Sequence, residues 1–302
     1  MSAQIKTVLI KTVEMLDSWS EGRRPSPVDS RHMIGSWAAK SLIQYFAIEY
    51  IVHLTIEHYS YWNDVVSKLG ALACTGTGDK FTCHEASVVT DLSFIGMGIG
   101  VLVAACLITS TVLRVGGKYD WFLKEYEDSM NESRKGLTYE QRLIRHLNGE
   151  HRGRELTKAH KQATVVRILL GITGIALIGI GAMPDDFAGI GHNIVTGTFV
   201  VTSLLSMIVL ADLWRPERRK VAAFLDIISG IGIFGGVLFG IKALGDAYQW
   251  SIASAIPIGI TERLVIYGFI VNLATMGFTL SSGARRHARR RLPAKAPQMS
   301  HP

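Results

Sequence analysis

The chain has 302 residues and a mass of 33.1 kDa; 48% of its residues are hydrophobic, 19% are charged, and its mean hydropathy is +0.24. The charged share is below the ~25% of soluble domains, and the apolar residues are gathered into runs of about 18 or more, long enough for membrane-spanning helices. A soluble enzyme, a nucleic-acid-binding domain and a disulfide-rich secreted module are excluded on that ground. The net charge of +7 therefore needs a membrane explanation.

Residues 1–33 are mostly polar and form a cytoplasmic N-terminal segment with no apolar core leading to a cleavage site. Between Ile5 and Trp19, apolar residues at 5, 8, 9, 13, 16 and 19 fit an amphipathic helix. Such a helix would lie on the inner membrane surface or against a protein partner. The membrane domain, 34–283, is expected to hold six spans at 34–56, 91–113, 164–183, 191–213, 221–244 and 257–282. The fold class is all-α, a polytopic six-transmembrane-helix bundle. Alternating strands that could close into a barrel are missing from the pattern. Glycines recur in GITGIALIGIG and GIGIFGGVLFG, where small residues let helices approach closely in lipid.

Lysine and arginine placement sets the orientation. All but Lys68, Lys80, Lys242 and Arg263 of the 32 fall in residues 1–40, 114–167 or 215–220, or in the tail. By the positive-inside rule both termini are cytoplasmic. The tail, 284–302, opens with the run Arg285-Arg286-His287-Ala288-Arg289-Arg290-Arg291. Directly after a span, that run reads as a stop signal and a contact for anionic lipid, with no nucleic acid as partner. The 114–163 loop combines Trp121, Phe122 and Tyr126 with a helical pattern at Leu143, Ile144 and Leu147. Thr138 with Gln141 is a capping-box pattern and Asn148-Gly149 a stop. One or two short cytoplasmic helices are expected, and with them a docking surface for a protein partner.

The outer loop, 57–90, carries Cys74 and Cys83 in CTGTGDKFTC. Two cysteines on a non-cytoplasmic face favour a disulfide; a metal site would need His84 and Glu85 as well. Cys106 falls within a span as packing.

Ionisable residues inside spans are costly and mark functional candidates. Glu49, His53 and Glu57 follow one another at i, i+4 and i+8 on the outer half of span one. His58, Asp64 and Asp91 lie at a similar depth, Asp185, Asp186 and His192 at the outer end of the third hairpin, and Glu262 with Arg263 at the start of the last span. In one reading these groups form a structural polar network, with Glu49 or Glu262 pairing Arg263. In a sharper reading they are a ligand or acid–base site, with His53, Asp91, Arg263 and His192 as binding groups and His192, Asp185, Glu49 and Glu262 as catalytic candidates. No HExxH spacing supports a metal, so no cofactor is expected; zinc enters only under the enzymatic alternative. A smaller inner layer holds Asp212 and Asp226 beside Arg215, Arg218 and Lys220, read as interfacial ion pairs.

Several segments together resemble a family. YSYWNDVVSKLGALACTGTGDKFTC with DLSFIGMGIGVL, GIGAMPDDFAGIGHNIVTGTFV and GITERLVIYGFIVN are similar to segments of bacterial membrane proteins grouped as domain of unknown function 998, and distantly to DRAM-type eukaryotic membrane proteins. The family's Ser-Asp-Leu-Gly is Ser67-Lys68-Leu69-Gly70 here, and its Asn at the start of span two is Asp91. The 114–163 loop looks like an insertion. The resemblance implies a six-span fold in the bacterial plasma membrane, and it singles out Asp185, His192, Glu262 and Arg263. The expected function is a non-enzymatic integral membrane protein that binds lipid or serves as an accessory subunit. The alternative is a membrane-embedded hydrolase or lipid-modifying enzyme.

Overall fold

A computed structural model describes residues 30–56, 59–70, 87–116 and 150–291. The described residues are helical, with short turns between. In chain order the helices are α1 (Ser30–Ser41), α2 (Gln44–His53), α3 (Ser87–Leu107), α4 (Ser110–Val115), α5 (Glu150–Ala182), α6 (Asp185–Trp214), α7 (Arg219–Ala247) and α8 (Ile258–Arg291). Short 3-10 turns occupy Val66–Gly70 and Ser251–Ala255. Five helices are long and apolar enough to cross a membrane, through Ser87–Leu107, Lys158–Ala182, Gly189–Trp214, Arg219–Asp246 and Ile258–Ala284. The chain is a helical membrane protein.

The expected first span, 34–56, is two helices rather than one. At Leu42–Ile43 the ladder tightens: the amides of Tyr45 and Phe46 bond the carbonyls of Leu42 and Ile43, three residues back, which bends the rod. Helix α5 begins at Glu150, so the last part of the 114–163 loop continues the third span. Its 33 residues extend about 50 Å, against a hydrocarbon core of ~30 Å. In the same way α8 runs on through Arg291, which makes the start of the basic tail helical. The Ile5–Trp19 helix, the Thr138 cap and the stop at Asn148-Gly149 lie outside the described residues.

The second span ends earlier than its apolar run, and the reason is local. Thr109 has an extended backbone and its side chain accepts from the Val112 amide, so a new helix starts there. The carbonyls exposed at the end of α3 are capped from other helices. Buried Arg167 of α5 donates from Nε to the Ala105 carbonyl at 2.9 Å, from Nη2 to the Cys106 carbonyl at 3.4 Å and from Nη1 to Ser110 Oγ at 3.0 Å. His32 Nδ1 lies 2.9 Å from the Leu107 carbonyl. A cation at a helix C-terminus also opposes the negative end of the dipole.

Around the bundle, α1 packs on α3, α3 on α5, α5 on α6, α6 on α7 and α7 on α8, and α8 closes the ring onto α1. The glycine-rich runs work as read from sequence. A Cβ on Gly98 would sit 2.5 Å from the Gly174 carbonyl oxygen, and one on Gly174 would sit 2.9 Å from that of Gly98; α3 and α5 therefore touch backbone to backbone. Gly235 makes a similar approach between α7 and the Thr261 carbonyl of α8. Helix α8 is the most buried of the five spans. It carries Arg263 into the ring at the end where α8 begins.

Candidate functional site

One end of the bundle gathers polar side chains around one guanidinium. Arg263, on the second turn of α8, is 1% exposed. Its Nε donates to Glu49 Oε1 of α2 at 2.8 Å, and Nη1 donates to the carbonyls of Tyr61, Asp64 and Gly259 at 2.9, 2.9 and 3.0 Å. Its Nη2 donates to the Tyr59 hydroxyl. Tyr61 also presents its ring to the guanidinium, 4.6 Å from ring centre to Cζ, a cation–π contact. The second oxygen of Glu49 accepts from Tyr267 Oη at 2.8 Å. Tyr267 lies one helical turn beyond Arg263, so the two grip the same carboxylate from one face of α8.

This arrangement ties a strap, residues 59–70, to the first turns of α8. The Val66 amide donates to Glu262 Oε2 at 2.6 Å, and the Ile260 amide to the Trp62 carbonyl at 3.3 Å. Gly259 lets the strap approach, because a Cβ there would meet the Tyr61 carbonyl at 2.8 Å. Within the strap, Asp64 accepts from the Ser60 amide at 2.8 Å and pairs with Lys68 at 2.6 Å. The His53 ring lies tilted against Tyr59 and edge-on to Tyr61, at 5.5 and 4.4 Å between centroids. Its Nδ1 is buried with no hydrogen-bond partner among the described residues.

The proton affinities of Tyr59 and Asp64 are shifted in ways that bear on stability. Burial raises the Tyr59 hydroxyl well above the usual phenol range, against the opposing pull of Arg263. Partial burial of Asp64 disfavours its charge, but Lys68 and the Ser60 amide outweigh that and hold the carboxyl below its ordinary value. Because the folded value is the lower one, Asp64 stabilises the fold above the unfolded pKa of ~3.9, and loses that contribution as pH falls through the folded value. Asp64→Asn should therefore lower the melting temperature slightly at pH 6 and flatten its decline below about pH 4. A decline as steep as in the wild type would exclude Asp64 as a source of acid sensitivity.

The sequence candidates thus divide. Glu49, Glu262, Arg263 and His53 come together around the strap, with Asp64. His192 does not join them through any hydrogen bond or ion pair among the described residues. It is 6% exposed, and its Nδ1 lies 2.7 Å from the Met183 carbonyl, closing the α5–α6 turn. Asp91 sits on α3 against Gly70 of the strap. Asp185 opens α6, while its side chain, the pair Cys74 and Cys83, and residues Glu57 and His58 lie outside what is described. Among the described residues, no group of three His, Cys, Asp or Glu could hold a metal ion. At the other end of the bundle, the expected ion pairs form: Arg215 lies 3.2 Å from Asp226 and 3.7 Å from Asp212.

Sequence reading missed the tyrosines that complete the cluster. Tyr267 carries a signal in the i, i+4 spacing of Arg263 and Tyr267. Tyr59 and Tyr61 carry none, since only the fold of the strap turns them inward. Arg167 carries a signal too, as a lone cation inside the apolar 164–183 run.

Residues 153–279 match the family described as protein of unknown function (DUF998), the family to which the segment resemblances point. The matched stretch includes His192, Glu262, Arg263 and Tyr267 and leaves Glu49 outside. A stretch of 108 residues is 34% identical to the sodium/potassium-transporting ATPase subunit alpha-B of Artemia franciscana, covering 36% of this chain and 10% of that protein. The chain thus spans about a tenth of that relative's length. No solved structure matches.

Proposed function

We propose that this is a non-enzymatic, six-span protein of the bacterial plasma membrane that binds lipid or serves as an accessory subunit, and that its outer polar cluster is architecture. The observation that carries this reading is how Arg263 and Glu49 are engaged. Nε and both terminal nitrogens of the guanidinium are taken by protein oxygens, and both oxygens of Glu49 by Arg263 and Tyr267. A clamp for a substrate anion needs donors turned toward the substrate; here they turn toward the strap. The catalytic candidates are divided as well, with Glu49 in the strap network and His192 on the Met183 carbonyl. Helices α1 and α2 together cover about 35 Å at 1.5 Å per residue, which supports counting them as the sixth span. With six spans both termini lie on one side, and the basic segments put that side in the cytoplasm.

His192→Ala separates this reading from the enzymatic alternative. The account expects a melting temperature in detergent lowered by the equivalent of about 1 kcal/mol, the worth of the lost hydrogen bond. Hydrolysis of phospholipid should be no different from the wild type. Unchanged stability together with a wild-type lipid hydrolysis that the variant loses would instead place His192 in an active site.

A further inference from the structure

The inner half of the α1–α8 seam holds a cation that the outer cluster does not involve. Lys40 of α1 is 8% exposed although it lies in an apolar helix pair. Its stem crosses Gly277 of α8, where a Cβ would meet Lys40 Cγ at 3.0 Å and the Ser36 carbonyl at 2.6 Å. Helical side chains lean toward the N-terminus, so the chain reaches back along α1 and carries its ammonium toward the membrane boundary. There Nζ lies 3.3 Å from Ser281 Oγ, 4.1 Å from the centre of the Trp37 ring and 5.5 Å from that of Phe278. Both rings are more than half exposed, at 59% and 54%.

The depth of this group is set by the helix it touches. Ser281 stands three residues before Ala284, where the apolar window of α8 ends, and one helical turn before Arg285, the first of the basic run. The ammonium therefore sits at the edge of the hydrocarbon, on the side of the basic segments. Two exposed aromatic rings and a hydroxyl stand beside it.

We propose that Lys40, Ser281, Trp37 and Phe278 form a binding site for the phosphate of a phospholipid in the leaflet next to the basic run. The ammonium donates to a phosphate oxygen, a charge-assisted bond that is strong where water is scarce. Ser281 now bonds the Phe278 carbonyl weakly, at 3.3 Å, and can rotate its hydroxyl to a second phosphate oxygen. The exposed rings of Trp37 and Phe278 pack along the glycerol and the first acyl carbons. An indole and a phenyl suit that boundary, where one end of the ligand is wet and the other apolar. The Arg285–Arg291 run adds long-range attraction for acidic headgroups, so phosphatidylglycerol should bind better than phosphatidylcholine.

The test is native mass spectrometry of the full chain in detergent, titrated with phosphatidylglycerol, with phosphatidylcholine and with inorganic phosphate. Melting curves are recorded in parallel. The wild type should hold one tightly retained phosphatidylglycerol per chain. Lys40→Gln should weaken that site about tenfold or more, while Lys40→Arg keeps most of it. Trp37→Ala, a change at an exposed ring that should leave folding intact, should weaken it about threefold to tenfold. If Lys40→Gln fails to fold, Trp37→Ala and Lys40→Arg decide the matter. Retention equal to the wild type in both Trp37→Ala and any folded Lys40→Gln would overturn the site and leave Lys40 as a snorkelling side chain. Competition by inorganic phosphate at equal concentration would make the ligand a soluble anion and overturn the lipid assignment.

Discussion

Arg263→Met removes about 3–5 kcal/mol of stability, the usual cost of breaking a buried ion pair from one side. For a membrane protein of ordinary stability that is most of the margin, so the variant should be recovered in low yield or aggregated on size exclusion. The loss comes less from the missing attraction than from what remains. Glu49, 2% exposed, would keep only Tyr267 as a donor among the described residues. The Tyr61, Asp64 and Gly259 carbonyls and the Tyr59 hydroxyl would lose their shared donor at the same time. Arg263→Lys should recover little, because one ammonium cannot serve a carboxylate, three carbonyls and a phenol in a forked plane. A monodisperse Arg263→Met protein within about 1 kcal/mol of the wild type would show that the pair is dispensable.

Gly98→Val acts through packing alone and should also be severe. The new Cβ would meet the Gly174 carbonyl oxygen at 2.5 Å and the Ile178 amide nitrogen at 2.8 Å. Both are backbone atoms, so no side chain can swing aside, and α3 and α5 must separate along their seam. Overpacking usually costs about 1–3 kcal/mol when side chains can adjust; with backbone on both sides the loss should reach or exceed the upper end. Gly96→Ala on the same helix is the control, since nothing lies within 4 Å of its Cβ position. It should be neutral or gain up to about 1 kcal/mol from helix propensity. Equal melting temperatures for Gly98→Val and Gly96→Ala would contradict the close seam.

The two predictions differ in how far the sequence carries them. The α3–α5 seam follows from glycine spacing in an apolar run, since only small residues allow close helix packing in lipid. The pairing of Glu49 with Arg263 follows from the cost of burying either alone. What completes the cluster does not follow, because it depends on the strap from Tyr59 to Gly70, whose backbone turns three carbonyl-bearing and phenolic groups onto one guanidinium. Helix ends were also beyond periodicity. The stop at Leu107 is made by Arg167 and His32, residues distant in sequence that cap its carbonyls. The bend at Leu42–Ile43 occurs with no proline or glycine at the break. Nor does sequence show that His192 bonds the Met183 carbonyl after α5, a contact made by the turn between α5 and α6.

The most direct test of the outer cluster as architecture is a double-mutant cycle on Glu49 and Arg263. Unfolding free energies would be measured in detergent for Glu49→Gln, Arg263→Met and the pair. If the two groups exist for each other, the double variant is more stable than the sum of the single losses predicts, with a coupling of about 2 kcal/mol or more. A coupling below about 0.5 kcal/mol would mean that each residue answers to something else, and a ligand held between them would then be the better account.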